Sequence, residues 1–457
     1  MRASVRKAGE FMEKKQFYRR VFTLVVPMAL QNLINVGVTA TDVLMLGKVS
    51  EQVLSGCSLG GQVFFIFNLF LFGISSGVSV LTAQYWGKRD TVSIEKLLGI
   101  VMRLALFVGL IFMFGSFCFP EKLMRIFTNE PEVIAEGVKY LRIVAFTYPM
   151  VALSMTYLNL IRSIERVLIS TVVYGCSLVL NFVVNAVLIF GLFGAPKLGI
   201  VGAAAGTLCA RLLELVMMLF YAYFRNRTVR LRLTYFLHQD RLLLKDFFRY
   251  SGPVVVNEFM WGAGYSAMAA IVGHLGSSAV AANSVAHVMR QLATVIVFGI
   301  GNATAILLGK AIGEGKEEEA KLFAGRLMRL AVVFGLLGGA LIFAIRPLIV
   351  RGFGFTGLTA EYMRSFLFMM SYYVVAQSAT CTCIVGVLRA GGDTKFGMFV
   401  DAGILWGCSI CLGALAAFVW KLPVKTVYFI LMSDELVKIP FCYFRYKQGK
   451  WLKNVTR

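Results

Sequence analysis

Long runs without Asp, Glu, Lys or Arg set the pattern of this chain: residues 21–41, 52–87, 167–196, 259–289, 291–309, 365–388 and 402–420. A bilayer core of about 30 Å needs about 20 residues of helix at 1.5 Å per residue, and these runs meet that length. A transmembrane barrel would show short strands of alternating hydrophobicity, and no such alternation runs through them. The pattern predicts an all-α polytopic membrane protein. Cutting the chain at charges and at Gly and Pro gives twelve transmembrane helices, centred near Gln31, Phe70, Val108, Pro149, Val179, Leu212, Gly262, Ile296, Phe334, Ser371, Gly407 and Met432. An even count puts both termini on one side.

A basic stretch from Arg225 to Lys245 divides the chain nearly in half and prompts a search for a repeat. At a fixed shift of 226, Pro27 falls on Pro253, Gly47 on Gly273 and Phe72-Gly73-Ile74 on Phe298-Gly299-Ile300. Gly87 then meets Gly313, Met102-Arg103-Leu104-Ala105 meets Met328-Arg329-Leu330-Ala331, and Gly109 meets Gly335, all without a gap. At a shift of 227, Arg162 meets Arg389. Chance matching does not readily place a proline, several isolated glycines and a tetrapeptide at one offset. Six spans separate equivalent positions, so two six-helix bundles of one orientation are expected, related by a pseudo-two-fold axis along the membrane normal. The expected organisation is a basic cytoplasmic segment 1–20, an N-terminal lobe 21–224, a basic linker 225–246, a C-terminal lobe 247–445 and a basic tail 446–457. Two such bundles leave a cleft between them and can rock to expose it alternately, the physical basis of secondary transport.

Composition agrees with the pattern: 58% of the 457 residues are hydrophobic and 15% charged, which excludes an ordinary soluble enzyme. The net charge of +22 would suggest nucleic acid on a soluble chain. Here the basic residues cluster at span ends, where topology explains them, and no nucleic-acid partner is expected. With the N-terminus inside, the inner segments carry 32 of the 46 Lys and Arg residues and the outer segments 11, so both termini are expected in the cytoplasm. No cleavable signal peptide is expected ahead of the first span. The nine cysteines lie mostly in apolar runs and read as packing residues, Cys408 and Cys411 included, since no partner ligands accompany that spacing.

Five stretches together resemble the multidrug and toxic compound extrusion (MATE) family. They are Pro27 with Asp42-Val-Leu-Met-Leu-Gly47, Gly77 to Gly87, Leu180-Asn-Phe-Val-Val-Asn185 running into Phe193-Gly-Ala-Pro-Lys-Leu-Gly199, Pro253-Val-Val-Val-Asn257-Glu258-Phe-Met-Trp261, and Leu388-Arg-Ala-Gly-Gly-Asp-Thr394. The resemblance covers nearly the whole chain and points to a bacterial branch. It implies twelve helices in two lobes and export of cationic amphiphiles driven by inward H⁺ or Na⁺.

A carboxylate inside a span costs about 2.5–3.5 kcal/mol on insertion scales, so each one calls for a reason. Asp42 is either an interfacial cap or a proton or cation site. Asn181 and Asn185 lie one turn apart, and their amides either bond neighbouring helices or offer oxygen ligands. The resemblance implies a first-lobe coupling site of Asp42, Asn181, Asn185 and Thr207. In the best-known branch the position of Asn185 is Asp, and the amide here favours H⁺ over tight Na⁺ binding. Glu258, five residues after Pro253, is a cavity residue or a partner of Arg290, which shares a face with His287. Asp401 is a second-lobe candidate or a local cap. Met260 and Trp261 are candidates for the substrate surface because they adjoin Glu258. Arg211 with Glu214, and Glu435 with Lys438, read as intrahelical pairs near the interface, and Asp393 as a loop cap.

The expected function is therefore secondary antiport of a lipophilic or cationic small molecule against H⁺ or Na⁺, in the bacterial inner membrane, by a monomer that needs no cofactor and no metal centre. A flippase for lipid-linked saccharides is the rival from the same superfamily, and it would want several deep Arg where only Arg290 lies between the halves. A membrane enzyme would need a nucleophile and base or a metal set, and His238, His274 and His287 without clustered acids do not make one. A channel would not call for the repeat.

Overall fold

The computed structural model describes residues 14–237, 240–352 and 356–456, and His238 and the side chain of Asp42 lie outside what it describes. Among the described residues there is no β-strand, as expected of an all-α chain. Among the described residues eight helices are long and apolar enough to cross a membrane, and Pro131–Val144 with Thr147–Ser163, bent by 53°, makes a ninth. The other three expected spans correspond to Lys14–Gly47, Arg241–His274 and the broken pair Val424–Leu431 and Asp434–Lys447. The expected centres fall inside these helices, except that Met432 falls on the break of the last. The fifth span, Leu168–Phe190, ends where Gly191 takes a left-handed conformation (φ 72°), which a residue without Cβ adopts freely.

Two compact units partition the chain. The N-terminal unit holds 30–82 and 89–255, and the C-terminal unit holds 1–29, 83–88 and 256–457. The first and seventh spans are thus each divided shortly after their prolines, and their opening segments are exchanged between the units.

The internal repeat is visible in how these helices touch. A Cβ on Gly73 would press on Val255 Cα at 2.7 Å, and one on Gly299 would meet Val25 O at 3.2 Å and Ala29 N at 3.6 Å. Val255 and Ala29 are equivalent under the shift of 226. Gly87 has no room for a methyl because of the Lys310 carbonyl, and Gly313 has none because of the Gln84 carbonyl, again a reciprocal pair. Gly109 packs on Tyr148 and Ala152, and Gly335 on Val375 and Ser378. These three matched pairs are therefore points where helices approach closely, which small residues permit without a hydrophobic driving force, whereas Gly273, the match of Gly47, faces open space.

The end of the chain returns to the body of the C-terminal unit. Trp451 is buried, and its carbonyl lies against Gly391. Gln84 donates its amide to the Ala390 and Lys453 carbonyls (2.7 and 3.0 Å) and accepts from the Val455 N–H (2.8 Å). Asp393 was expected to cap the eleventh span, Thr394–Val419, but its side chain makes no cap bond. It accepts instead from Arg445 (2.6 and 3.1 Å) and Lys453 (2.6 Å). Burial opposes its charge, yet these two cations outweigh burial and hold its pKa below the ordinary carboxylate range.

Candidate functional site

Each unit seals polar side chains among apolar helices, and the two sets differ in kind. In the N-terminal unit, Gln31 on the first span, four residues after Pro27, donates to Ser170 Oγ and Thr171 Oγ1, both at 2.8 Å. Its carbonyl accepts from Arg162 at 3.5 Å. Further along the fifth span, buried Asn185 donates to buried Asn181 at 3.2 Å. That contact fits their spacing of one turn. Gly206 on the sixth span, Ile200–Arg225, gives Asn185 its room, because a Cβ there would collide with Asn185 Oδ1. The Thr207 hydroxyl is turned to its own helix, donating to the Ala203 carbonyl at 3.0 Å. Arg211 and Glu214 pair at 2.6 Å as expected, with Ser177 of the fifth span donating to the same Glu214 oxygen at 2.6 Å. Asn181 and Asn185 thus stand together; Asp42 belongs to the same unit, with its side chain outside the described residues.

The C-terminal unit is ionic. Glu258 pairs with Arg389 at 2.6 Å, not with Arg290. The tenth span, Gly357–Leu388, runs into Arg389 through a π-helical stretch, Thr382–Leu388. Arg290 meets Tyr265 (2.8 Å), Gln377 (3.4 Å) and His287 (3.3 Å), with the Tyr265 ring 4.9 Å from its guanidinium. Trp261 lies against that tyrosine, ring centroids 4.4 Å apart, and the Met260 carbonyl accepts the Trp406 indole at 3.0 Å. Trp261 and Met260 are therefore part of the helix packing around the ionic groups.

Asp401 does not cap its helix. It accepts from Asn257 at 2.9 Å and binds Lys438 at 2.8 Å. Lys438 also binds Asp434 at 2.8 Å and Glu435 at 3.2 Å, and Thr380 donates to the second Glu435 oxygen. The expected Glu435–Lys438 pair is present, but it is sealed in the unit and is one edge of a larger network. Its position follows from the broken twelfth span: the helix resumes at Asp434, so two carboxylates occupy a first turn, where the helix dipole favours them, and Lys438 stands one turn on.

Comparison with known proteins decides the family. The sequence model of MatE matches residues 27–187 and again 253–419, and the two matches begin 226 residues apart, at the prolines that open the internal repeat. The chain belongs to the MatE family. It is 22% identical over 450 residues to the probable multidrug resistance protein YoeA of Bacillus subtilis (strain 168), covering 97% of this chain and 96% of that one. It is 23% identical to the multidrug resistance protein PmpM of Pseudomonas aeruginosa, covering 86% and 83%. A crystal structure of MATE in the bent conformation matches with a TM-score of 0.86 at 17% identity, over 95% of this chain and 96% of that one. The fold is the twelve-helix, two-lobe MatE fold, and the chain is a multi-pass membrane transporter rather than an enzyme.

Within this MatE chain the sequence undervalued Lys438, Asp434 and Glu435, and it marked Arg389 only as the repeat counterpart of Arg162. One signal could have found them. Three charges within five residues of a span cost too much for an interface unless another span answers them, and Asp401 was the unassigned acid.

Proposed function

We propose that this transporter is a secondary antiporter of the bacterial inner membrane. It exports lipophilic or cationic small molecules in exchange for inward H⁺ or Na⁺ by alternating access, as a monomer with both termini in the cytoplasm. The observation that carries the reading is the double match of one family model at the offset of the internal repeat, since duplicated lobes are the hardware of alternating access. Relatives whose names describe multidrug resistance support the substrate class. So does the chemistry of the C-terminal unit, where four carboxylates (Glu258, Asp401, Asp434, Glu435) face two cations (Arg389, Lys438). Glu258 and Asp401 keep 12% and 15% of their side chains accessible while Lys438 keeps 1%, so the outer two acids are the ones a cationic substrate can reach.

The coupling ion is assigned to Asp42 of the first span, with Asn181, Asn185 and Thr207 as its polar surroundings. Protonation removes the desolvation cost of the acid and lets the ion bias one state of the cycle. Efflux of a fluorescent organic cation from vesicles, with Na⁺ and pH gradients imposed separately, tests the whole reading. One gradient is expected to drive export and Asp42→Asn to abolish it with membrane insertion intact. Export indifferent to both gradients rejects antiport, and normal export by Asp42→Asn rejects the site.

A further inference from the structure

Three carboxylates close around the ammonium of Lys438. Asp401 Oδ1, Asp434 Oδ2 and Glu435 Oε1 stand at 2.8, 2.8 and 3.2 Å from a single nitrogen. They come from two spans, and the Lys438 side chain is 1% exposed. Oxygen donors, several of them charged, are what hard cations select. An ammonium carries three N–H donors and no acceptor, and here each of three carboxylates takes one place around it. Two further acceptors in this cluster, Asp434 Oδ1 and Asn257 Oδ1, have no hydrogen-bond partner among the described residues, although both side chains are buried.

We propose that Lys438 is a tethered cation, its ammonium filling the seat that Na⁺ or K⁺ would otherwise take in the C-terminal unit, and that it is the residue which makes this unit indifferent to both ions. A buried charge persists only when it is paired and hydrogen-bonded, so the three carboxylates and the lysine hold each other in place. The ammonium is compact and does not leave, which distinguishes it from a bound ion with an exchange rate. Removing it would leave three carboxylates around a space the size of an ammonium. The inference concerns ion occupancy alone and does not depend on the export reading.

The test compares purified full-length protein in NaCl, KCl and choline chloride at equal ionic strength, by melting temperature and by binding of radioactive Na⁺. Asp42→Asn, which removes the first-lobe acid and keeps Lys438, is expected to show no ion-specific shift and no Na⁺ binding that depends on Asp401. Lys438→Met is expected to gain an upward, saturable shift in melting temperature with NaCl or KCl over choline. That gain should vanish when Asp401→Asn is added, while Lys438→Arg stays indifferent. A folded Lys438→Met that ignores both ions overturns the proposal. If Lys438→Met does not fold, the Asp42→Asn arm decides: Asp401-dependent Na⁺ binding with the lysine in place overturns it, and its absence supports it. A chain that exports nothing in vesicles would leave these binding results standing.

Discussion

Gln31 and Glu258 stand four and five residues after the prolines of the first and seventh spans, and each meets an arginine at the C-terminal end of the fourth or tenth helix. The N-terminal version joins an amide to Arg162 at 3.5 Å, and the C-terminal version joins a carboxylate to Arg389 at 2.6 Å. The same division runs through the rest of each unit. One is held mainly by amides and hydroxyls, Gln31 with Ser170 and Thr171 and Asn185 with Asn181, beside two separate ion pairs of buried carboxylates, Arg211–Glu214 and Arg232–Glu95. The other is held by the carboxylates and cations around Lys438 and Arg389. Duplication preserved the backbone contacts at Gly73 with Gly299 and Gly87 with Gly313 while the polar chemistry diverged. A neutral amide tolerates loss of a partner for about 1–3 kcal/mol, whereas a buried charge left alone costs about 3–5 kcal/mol. The C-terminal unit is therefore the one in which a single change has the larger consequence.

The comparison breaks most visibly at the ion pair. Glu258→Met, which strands Arg389, is expected to destabilise the protein by about 3–5 kcal/mol, and Glu258→Met with Arg389→Met to recover a large part of that loss. Gln31→Met with Arg162→Met should show a much weaker coupling. Unfolding of the single and double variants in detergent provides both cycles, and equal coupling in the two would erase the distinction drawn between the units.

A smaller effect is expected at Gly206. Gly206→Ala drives a methyl into Asn185 and should cost about 1–3 kcal/mol by overpacking, in the unit where no charge is disturbed. Adding Asn185→Ala should return most of that stability, because it removes the atom struck. A melting-temperature series reads both, and full tolerance of Gly206→Ala would mean that the fifth and sixth spans are less tightly joined than described.

The repeat, the twelve spans and the absence of strands were all legible in the sequence, because each is written in the local run of apolar residues or in a fixed offset. Pro27 with Pro253 and Gly87 with Gly313 required no knowledge of the third dimension. The contact of Asn181 with Asn185 was legible for the same reason, since one turn of helix determines it. The partners of Glu258 and Asp401 were not. Arg389 is 131 residues from Glu258 and Asn257 is 144 from Asp401, and no periodicity relates them. Arg290, nearer in the chain, turns its guanidinium to Tyr265, Gln377 and His287 instead. Asp393 was misread likewise: a loop acid ahead of a helix suggests a cap, but Arg445 and Lys453 outcompete backbone N–H groups for its oxygens.

The mildest prediction concerns that acid, which lies outside the spans. Its folded pKa is depressed, so its contribution is complete above the ordinary Asp value of about 3.9 and is lost as pH falls through the lower folded value. Hydrogen exchange over residues 449–456, referenced to the intrinsic rate at each pH, should quicken in that acid window and leave the N-terminal unit unaffected. Asp393→Asn should show the quickened exchange already at neutral pH. A tail that exchanges slowly in the variant would mean that Gln84 and Trp451 suffice to hold it.

For anyone who trims or extends this chain, the docking of Trp451 and Val455 has a practical side. Removing the last eight or so residues would strip the amide of Gln84 of two partners and open the ground above Gly391, so the damage would be felt at the ends of the second and tenth helices. A purification handle belongs beyond a spacer, where it cannot tug the closing residues from their seat.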